Sequence, residues 1–395
     1  MKFIPLTSVE RRSVAGLATV MATRLLGLFL ILPVFALYAE RLTGHTPFLV
    51  GLALGAYGLT QALLQLPFGM LSDRFGRKSI ILAGLAIFAI GSVVAAMADS
   101  IIWVIVGRAL QGAGAISAVV VAMVADLTRE AQRTKAMAII GISIGASFVL
   151  SLMMGPVLGS WIDVNGIFWL TAVLAICAMA VIVWVVPTPE RVEYSALSLA
   201  TLIRVVRDSS LLRLNIGIFV LHGVLTALFV AVPVVLVRTV DLPLHDHWQL
   251  YLPMLLGSLV VLVPMVYLAE RRGHMRAVFV SAVIFLASSQ VVLLGESRTL
   301  AGLSAGILLF FIGFNFLEAV LPSLVSRTVD PSQKGTAIGV YSSFQFLGAF
   351  AGGTTGGFVA GRFGFDAVFA VNAAFILLWL VVALTMPVLS PARTH

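Results

Sequence analysis

Gly69-Met70-Leu71-Ser72-Asp73-Arg74-Phe75-Gly76-Arg77-Lys78 is a charged island between two apolar runs, 47–71 and 79–97. Apolar runs of roughly 18–26 residues match the length a helix needs to cross a hydrocarbon core about 30 Å thick, so the island reads as a loop between membrane spans. The pattern around it occurs twice. Pro67, Leu71, Asp73, Arg74 and Gly76 are matched by Pro264, Leu268, Glu270, Arg271 and Gly273, every pair 197 positions apart. Lys135 and Lys334 are 199 apart, so the register persists through each half, and a six-plus-six duplication is the economical reading.

Outward from this loop, twelve apolar runs can be drawn, at 14–38, 47–71, 79–97, 101–126, 135–161, 166–187, 212–237, 248–269, 276–294, 300–326, 334–360 and 365–388. The composition agrees: 60% of the 395 residues are hydrophobic and 11% charged. A soluble domain has roughly 45–50% apolar and about 25% charged residues, and could not hide so much apolar surface. The expectation is an all-α membrane protein with twelve transmembrane helices in two pseudo-symmetric bundles. The first bundle is 1–187, a cytoplasmic linker with an amphipathic segment is 188–211, and the second bundle is 212–395.

A net charge of +8 raises the question of nucleic-acid binding, which the placement of the basic residues answers. Nineteen of the 25 lie in alternate connections, on the side of the N-terminus, among them Arg74, Arg77, Arg129, Arg204 and Arg271. The opposite connections hold only Arg41, Arg238, Arg298 and Arg362, while Arg24 and Arg108 fall within spans. By the positive-inside rule both termini are expected in the cytoplasm, and no nucleic-acid partner is implied. Met1–Arg12 is too polar and short to be a cleavable signal. Cys177 is the sole cysteine, so neither a disulfide framework nor a cysteine metal site is expected.

The loop 69–78 resembles the signature G-x-L-a-D-r-x-G-r-k that the major facilitator superfamily carries between its second and third spans. Arg108-Ala109-Leu110-Gln111-Gly112-Ala113-Gly114-Ala115 resembles the R-x-x-q-G-x-g-a motif of span four, common in that superfamily's drug:proton antiporters. Gly155-Pro156-Val157-Leu158-Gly159-Ser160 resembles the antiporter motif G-P-x-x-G-G, with Ser160 in place of its last glycine. Together with Tyr57-Gly58-Leu59-Thr60-Gln61 and Leu127-Thr128-Arg129-Glu130, the whole chain is similar to the bacterial YajR group. Some of that group carry a soluble C-terminal domain, which is not expected in a chain ending at His395. The resemblance implies a conformational latch on the cytoplasmic side, formed by Gly69, Asp73, Arg74, Gly76, Arg77 and Lys78. Asp73 would face the start of span eleven near Gly335-Thr336, and Arg77 would pair with Asp126. The alternative is that Arg74, Arg77 and Lys78 enforce topology, and one residue can do both.

A charge deep in a span costs roughly 2.5–3.5 kcal/mol on insertion scales, so each one calls for a reason. Glu318, midway along span ten, is the sole acid near a span centre. It could carry a proton if its surroundings alternately wet, or form a structural ion pair with Arg24 or Arg108. Asp126 is next in line as proton carrier. Arg24 and Arg108, which the resemblance places beside the central cavity, could hold a substrate anion or tune a proton-carrying acid; either could instead bond backbone carbonyls. His222 could titrate near neutral pH or serve as an interhelical hydrogen-bond donor. Phe29, Phe35, Tyr57, Phe229, Phe314 and Phe344 offer aromatic walls, with Gln61, Asn315 and Gln345 as polar handles, unless the rings simply face lipid. Gly155-Pro156 should bend span five, with Gly159 one turn on. The glycines of 141–145 and of 335–361 should let helices approach closely.

No H-E-x-x-H, paired intramembrane aspartates or cysteine–histidine pair is present, so an enzyme, a metal centre and a cofactor are not expected. Gly302-x-Ser304-x-Gly306 spells a hydrolase elbow but lies in an apolar helical run with no strand before it. The function expected is proton-coupled export of hydrophobic or amphiphilic small molecules by alternating access, from a monomer in the bacterial inner membrane. The alternative is an importer or uniporter of a sugar, amino acid or other metabolite with the same fold.

Overall fold

The computed structural model describes residues 5–189, 199–330 and 333–386. Its long helices are α1 Ser8–Phe29, α2 Pro47–Phe75, α3 Arg77–Ala96, α4 Ile101–Ala113, α5 Ser117–Asp126, α6 Glu130–Trp161 and α7 Asp163–Trp184. A short helix, α8 Leu199–Arg207, leads into α9 Ser209–Arg238, α10 His247–Val266, α11 Met275–Glu296, α12 Leu300–Thr328, α13 Lys334–Phe363 and α14 Phe365–Leu384. Among the described residues the only β pairing is an isolated bridge between Thr43 and Ser100. Helices are what lipid demands, because each satisfies its own backbone N–H and C=O groups where no water can. Among the described residues, eleven segments are long and apolar enough to cross a membrane, α4 with α5 counting as one. The remaining long helix, α13, spans 30 residues but contains eight glycines.

The chain forms two compact units: Met1–His45 with Ala56–Leu197, and Thr46–Gly55 with Ser198–His395. The linker expected at 188–211 falls partly outside the described residues, as do Lys2, Arg191, Arg393 and His395.

Four long-range hydrogen bonds make the duplication visible. Arg12 donates to the Trp184 carbonyl at 2.6 Å in the first unit, and Arg213 to the Thr385 carbonyl at 3.0 Å in the second, each across 172 positions. Lys78 donates to the Val186 carbonyl at 3.0 Å and Arg276 to the Leu384 carbonyl at 2.7 Å, each across 108 positions. The last carbonyls of a helix have no intrahelical partner, and a cation there contributes about 0.3–1 kcal/mol. In both units, basic side chains therefore close the end of the last span.

Two expected elements need correction. The first span does not run from 14 to 38: α1 starts at Ser8 and ends at Phe29, and Phe35–Tyr38 forms a separate helical turn. Pro33 accounts for the break, since its ring and missing N–H prevent the helix from continuing. The fourth span is broken between Ala113 and Ser117, where Gly112 and Gly114 lie so close to the carbonyls of Tyr57 and Gly84 that no Cβ would fit. The fifth span, α6, runs from Glu130 to Trp161 with Pro156 inside it. There Gly155 and Gly159 pack on the segment after α1: a Cβ on Gly155 would lie 2.6 Å from the Leu30 carbonyl, and one on Gly159 3.1 Å from Val34.

The small residues also sort differently than expected. A Cβ at Gly141, Gly145 or Gly335 would meet nothing within 4 Å, so these glycines leave open space rather than a close helix contact. Close packing falls on Gly348 and Gly352 of α13, which abut the carbonyls of Phe219 and Gly223 in α9. Because the obstruction is backbone, Gly352→Val is expected to cost about 1–3 kcal/mol of stability as an overpacked site. Thermal unfolding of the purified protein in detergent would show this as a lowered midpoint; an unchanged midpoint would contradict the packing.

A link absent from the sequence reading fastens α1 to α6. The buried carboxylate of Glu10 accepts from the Arg129 side chain through Nε and Nη2, both at 2.8 Å, and from the Arg129 backbone N–H at 3.0 Å. It also accepts from the Thr7 N–H at 2.8 Å, while Thr7 Oγ1 accepts from the Glu10 N–H at 3.2 Å, completing a capping box. One carboxylate thus serves two helix N-termini, where negative charge is favoured.

Candidate functional site

In the first unit, Arg24 and Arg108 are fully buried and both lie over Tyr57, with guanidinium carbons 5.7 and 5.1 Å from the ring centroid. Arg24 donates to Gln61 Oε1 at 2.6 Å, Ser117 Oγ at 2.9 Å and the Gly114 carbonyl at 3.0 Å, and lies over the Phe88 ring. The Gly114 carbonyl belongs to the break between α4 and α5, so Arg24 occupies an acceptor that the interrupted helix releases. Arg108 donates to Gln111 Oε1 at 2.8 Å, and Gln111 passes its amide to Ser92 Oγ at 2.8 Å. Gln61 does likewise to Gln65 at 3.0 Å. Desolvated cation–π contacts contribute about 2 kcal/mol or more each, offsetting part of the cost of burying charge. Sequence reading missed Gln65, Ser92 and Ser117 and met Gln111 only as a position of the span-four motif; for Gln65 the i,i+4 spacing from Gln61 was a signal available.

In the second unit, three helices bring Glu318 of α12, His222 of α9 and Gln345 of α13 together. Gln345 Nε2 donates to Glu318 Oε1 at 3.2 Å and lies 2.9 Å from His222 Nε2. An amide nitrogen can only donate, so this arrangement makes His222 Nε2 an acceptor and assigns the ring proton to Nδ1. Glu318 Oε2 is buried without a hydrogen-bond partner, 3.8 Å from His222 Nε2, although the side chain as a whole is 37% exposed. Two proton acceptors thus share one amide bridge, and one of them keeps part of its side chain exposed. Tyr341, one turn before Gln345, has a buried hydroxyl with no hydrogen-bond partner. Sequence reading had not singled it out. Phe314 covers the His222 ring at 5.8 Å, and Asn315 donates to Ser258 Oγ at 2.8 Å.

Of the expected aromatic walls, Phe35, Tyr57, Phe229 and Phe314 are buried, whereas Phe29 and Phe344 are partly exposed. Phe29 stands edge-on to Phe148, with ring centroids 5.1 Å apart.

At the loop after α2, Gly76 adopts φ 91°, a left-handed value that glycine takes without strain, and turns the chain into α3. Arg77 is nearly buried and reaches Asp73 at 2.5 Å, Ser72 at 2.6 Å and Asp126 at 3.0 Å. Arg74 lies over Phe75, Lys78 holds the end of α7, and Gly69 has open space around it. The corresponding loop of the second unit carries its own ion pair, Glu270 with Arg327, bonded through both guanidinium nitrogens at 2.8 and 3.2 Å. The sign pattern is reversed, since the basic partner now comes from the end of the span and the acid from the loop. Because Arg77 is shared, Arg77→Ala and Asp126→Ala are expected to be non-additive by about 0.5–3 kcal/mol, measurable in a double-mutant cycle of thermal stability. Additive losses would show that the two do not act as a pair.

Spans that carry charge and amide clusters inside two repeated helical units, where lipid would not tolerate them without a task, define a polytopic membrane transporter. The chain belongs to the Major Facilitator Superfamily, whose sequence pattern matches residues 17–316 and 214–395. It is 44% identical to the inner membrane transport protein YajR of Escherichia coli (strain K12), over 96% of this chain and 84% of that protein. It is 27% identical to the multidrug resistance protein MdtH of Yersinia enterocolitica, over 84% of this chain and 81% of that one. Among solved structures, the human organic anion transporter MFSD10 (TETRAN) superposes with a TM-score of 0.69 at 21% identity, covering 95% of this chain and 100% of that one. That likeness concerns the fold.

Proposed function

We propose that the protein is a proton-coupled secondary active transporter that exports hydrophobic or amphiphilic small molecules by alternating access. The observation that carries this reading is the bridge from Glu318 through Gln345 to His222, which sets two proton acceptors side by side within the spans. Glu318 loads and releases the proton, with Asp126 as the second candidate. The loop group Gly69, Asp73, Arg74, Gly76, Arg77 and Lys78 with Asp126 acts as the conformational latch. Arg24, Arg108, Tyr57, Gln61, Phe314, Asn315 and Gln345 serve the substrate side. Each proton moving inward supplies about 2.3 kcal/mol per roughly 100 mV, enough to drive cargo uphill. The multidrug resistance name borne by the MdtH relatives supports drugs as the cargo. The protein acts as a monomer in the inner membrane, with both termini cytoplasmic.

The test is transport by purified protein in vesicles with an imposed pH gradient and a panel of lipophilic cations. Substrate movement against its gradient, with matching proton flux, is expected. Movement of a sugar or amino acid down its gradient, insensitive to pH, would replace this reading with a uniporter.

A further inference from the structure

We propose that α8 is an interfacial anchor that lies in the headgroup layer of the adjoining leaflet and binds anionic phospholipid there. The helix reads Leu199-Ala200-Thr201-Leu202-Ile203-Arg204-Val205-Val206-Arg207 and packs against α9 and α13 of its own unit. Val205 is the residue that docks, at 2% exposure. The apolar stripe is wider than this contact: Ile203 and Val206, three positions apart and therefore side by side, are 44% and 40% exposed. Arg204 and Arg207, also three apart, form the neighbouring exposed edge, and neither has a hydrogen-bond or ion-pair partner among the described residues. An apolar edge beside a bare basic edge is the pattern of a helix lying in a membrane surface, with its side chains among acyl chains and its guanidiniums at phosphates.

Position supplies the second argument. Asp208 directly follows α8 and caps α9, accepting from the N–H groups of Ser210 and Leu211, both at 2.9 Å. Since α9 is long and apolar enough to be a membrane span, a helix that ends one residue before it lies at or beyond the edge of the hydrocarbon. The connection also lies on the side where most basic residues fall, so its charge complements an anionic leaflet. Water would leave the apolar edge uncovered, and a zwitterionic surface attracts the two guanidiniums less strongly than an anionic one.

The test uses the full chain with Cys177→Ser, spin-labelled at Ile203→Cys or, on the basic edge, at Ala200→Cys, in vesicles of phosphatidylcholine with or without phosphatidylglycerol. In the anionic vesicles the label at 203 should collide with oxygen more than with a water-soluble nickel chelate, and the label at 200 the reverse. Enrichment of spin-labelled phosphatidylglycerol around the protein should fall about fivefold for each of Arg204→Gln and Arg207→Gln. Nickel accessibility at 203 equal to that at 200 would overturn the proposal. So would protection of position 203 from both reagents, which would mean that protein covers this edge.

Discussion

Reconstituted Glu318→Gln protein is expected to lose uphill transport driven by a pH gradient while still exchanging substrate across the membrane. Glutamine keeps the shape of the side chain and can still hydrogen-bond Gln345, but it cannot lose a proton. It therefore imitates a carrier locked in the protonated state, which can rock with cargo but cannot couple that motion to proton release. A loss of at least about 100-fold in proton-driven accumulation is expected, within the range typical for removing a positioned acid–base group. Gln345→Leu provides the comparison, because it removes the bridge to His222 and leaves the carboxyl in place. Wild-type accumulation by Glu318→Gln protein would move the proton to another group, with Asp126 examined next.

Glu10→Ala is expected to lower stability by about 3 kcal/mol, the largest loss predicted for any single side chain here. The carboxylate accepts four hydrogen bonds from Arg129 and Thr7, and without it the Arg129 and Thr7 N–H groups lose their shared acceptor. Arg129 is itself half exposed, so water can recover part of its solvation, which holds the loss below that of a wholly buried pair. For a unit of this size the thermal midpoint should fall by roughly 5–10 °C. Glu10→Gln should be intermediate, since it keeps an acceptor but not the charge. If Glu10→Ala unfolds at the wild-type temperature, the link is incidental.

The repeat and the spans were legible because both are local in the chain. A span is a run of apolar residues of fixed length, and the duplication is a shift of 197–199 positions that any reader of the sequence can count. Charge asymmetry between connections and the loop 69–78 are local in the same sense. The ends of helices were less legible, as α1 shows: Leu30, Ile31 and Leu32 continue the apolar run after the helix has stopped at Phe29. Hydropathy measures transfer to lipid, and it does not register where Pro33 interrupts a backbone.

Partnership was decided only by the tertiary structure. From sequence, Glu318, His222 and Gln345 were three separate polar residues in three spans, with Arg24 or Arg108 as possible counter-ions for the acid. Packing of α9, α12 and α13 makes one amide serve both acceptors, and in the other unit Arg24 turns to neutral groups at a helix break. Glu10 and Arg129, 119 positions apart, carried no common motif at all. The physical reason is the same in each case. The cost of placing a polar group in an apolar interior can be read from residue type and position in a span, whereas the group that offsets the cost depends on distances of about 3 Å, which only the packed helices set.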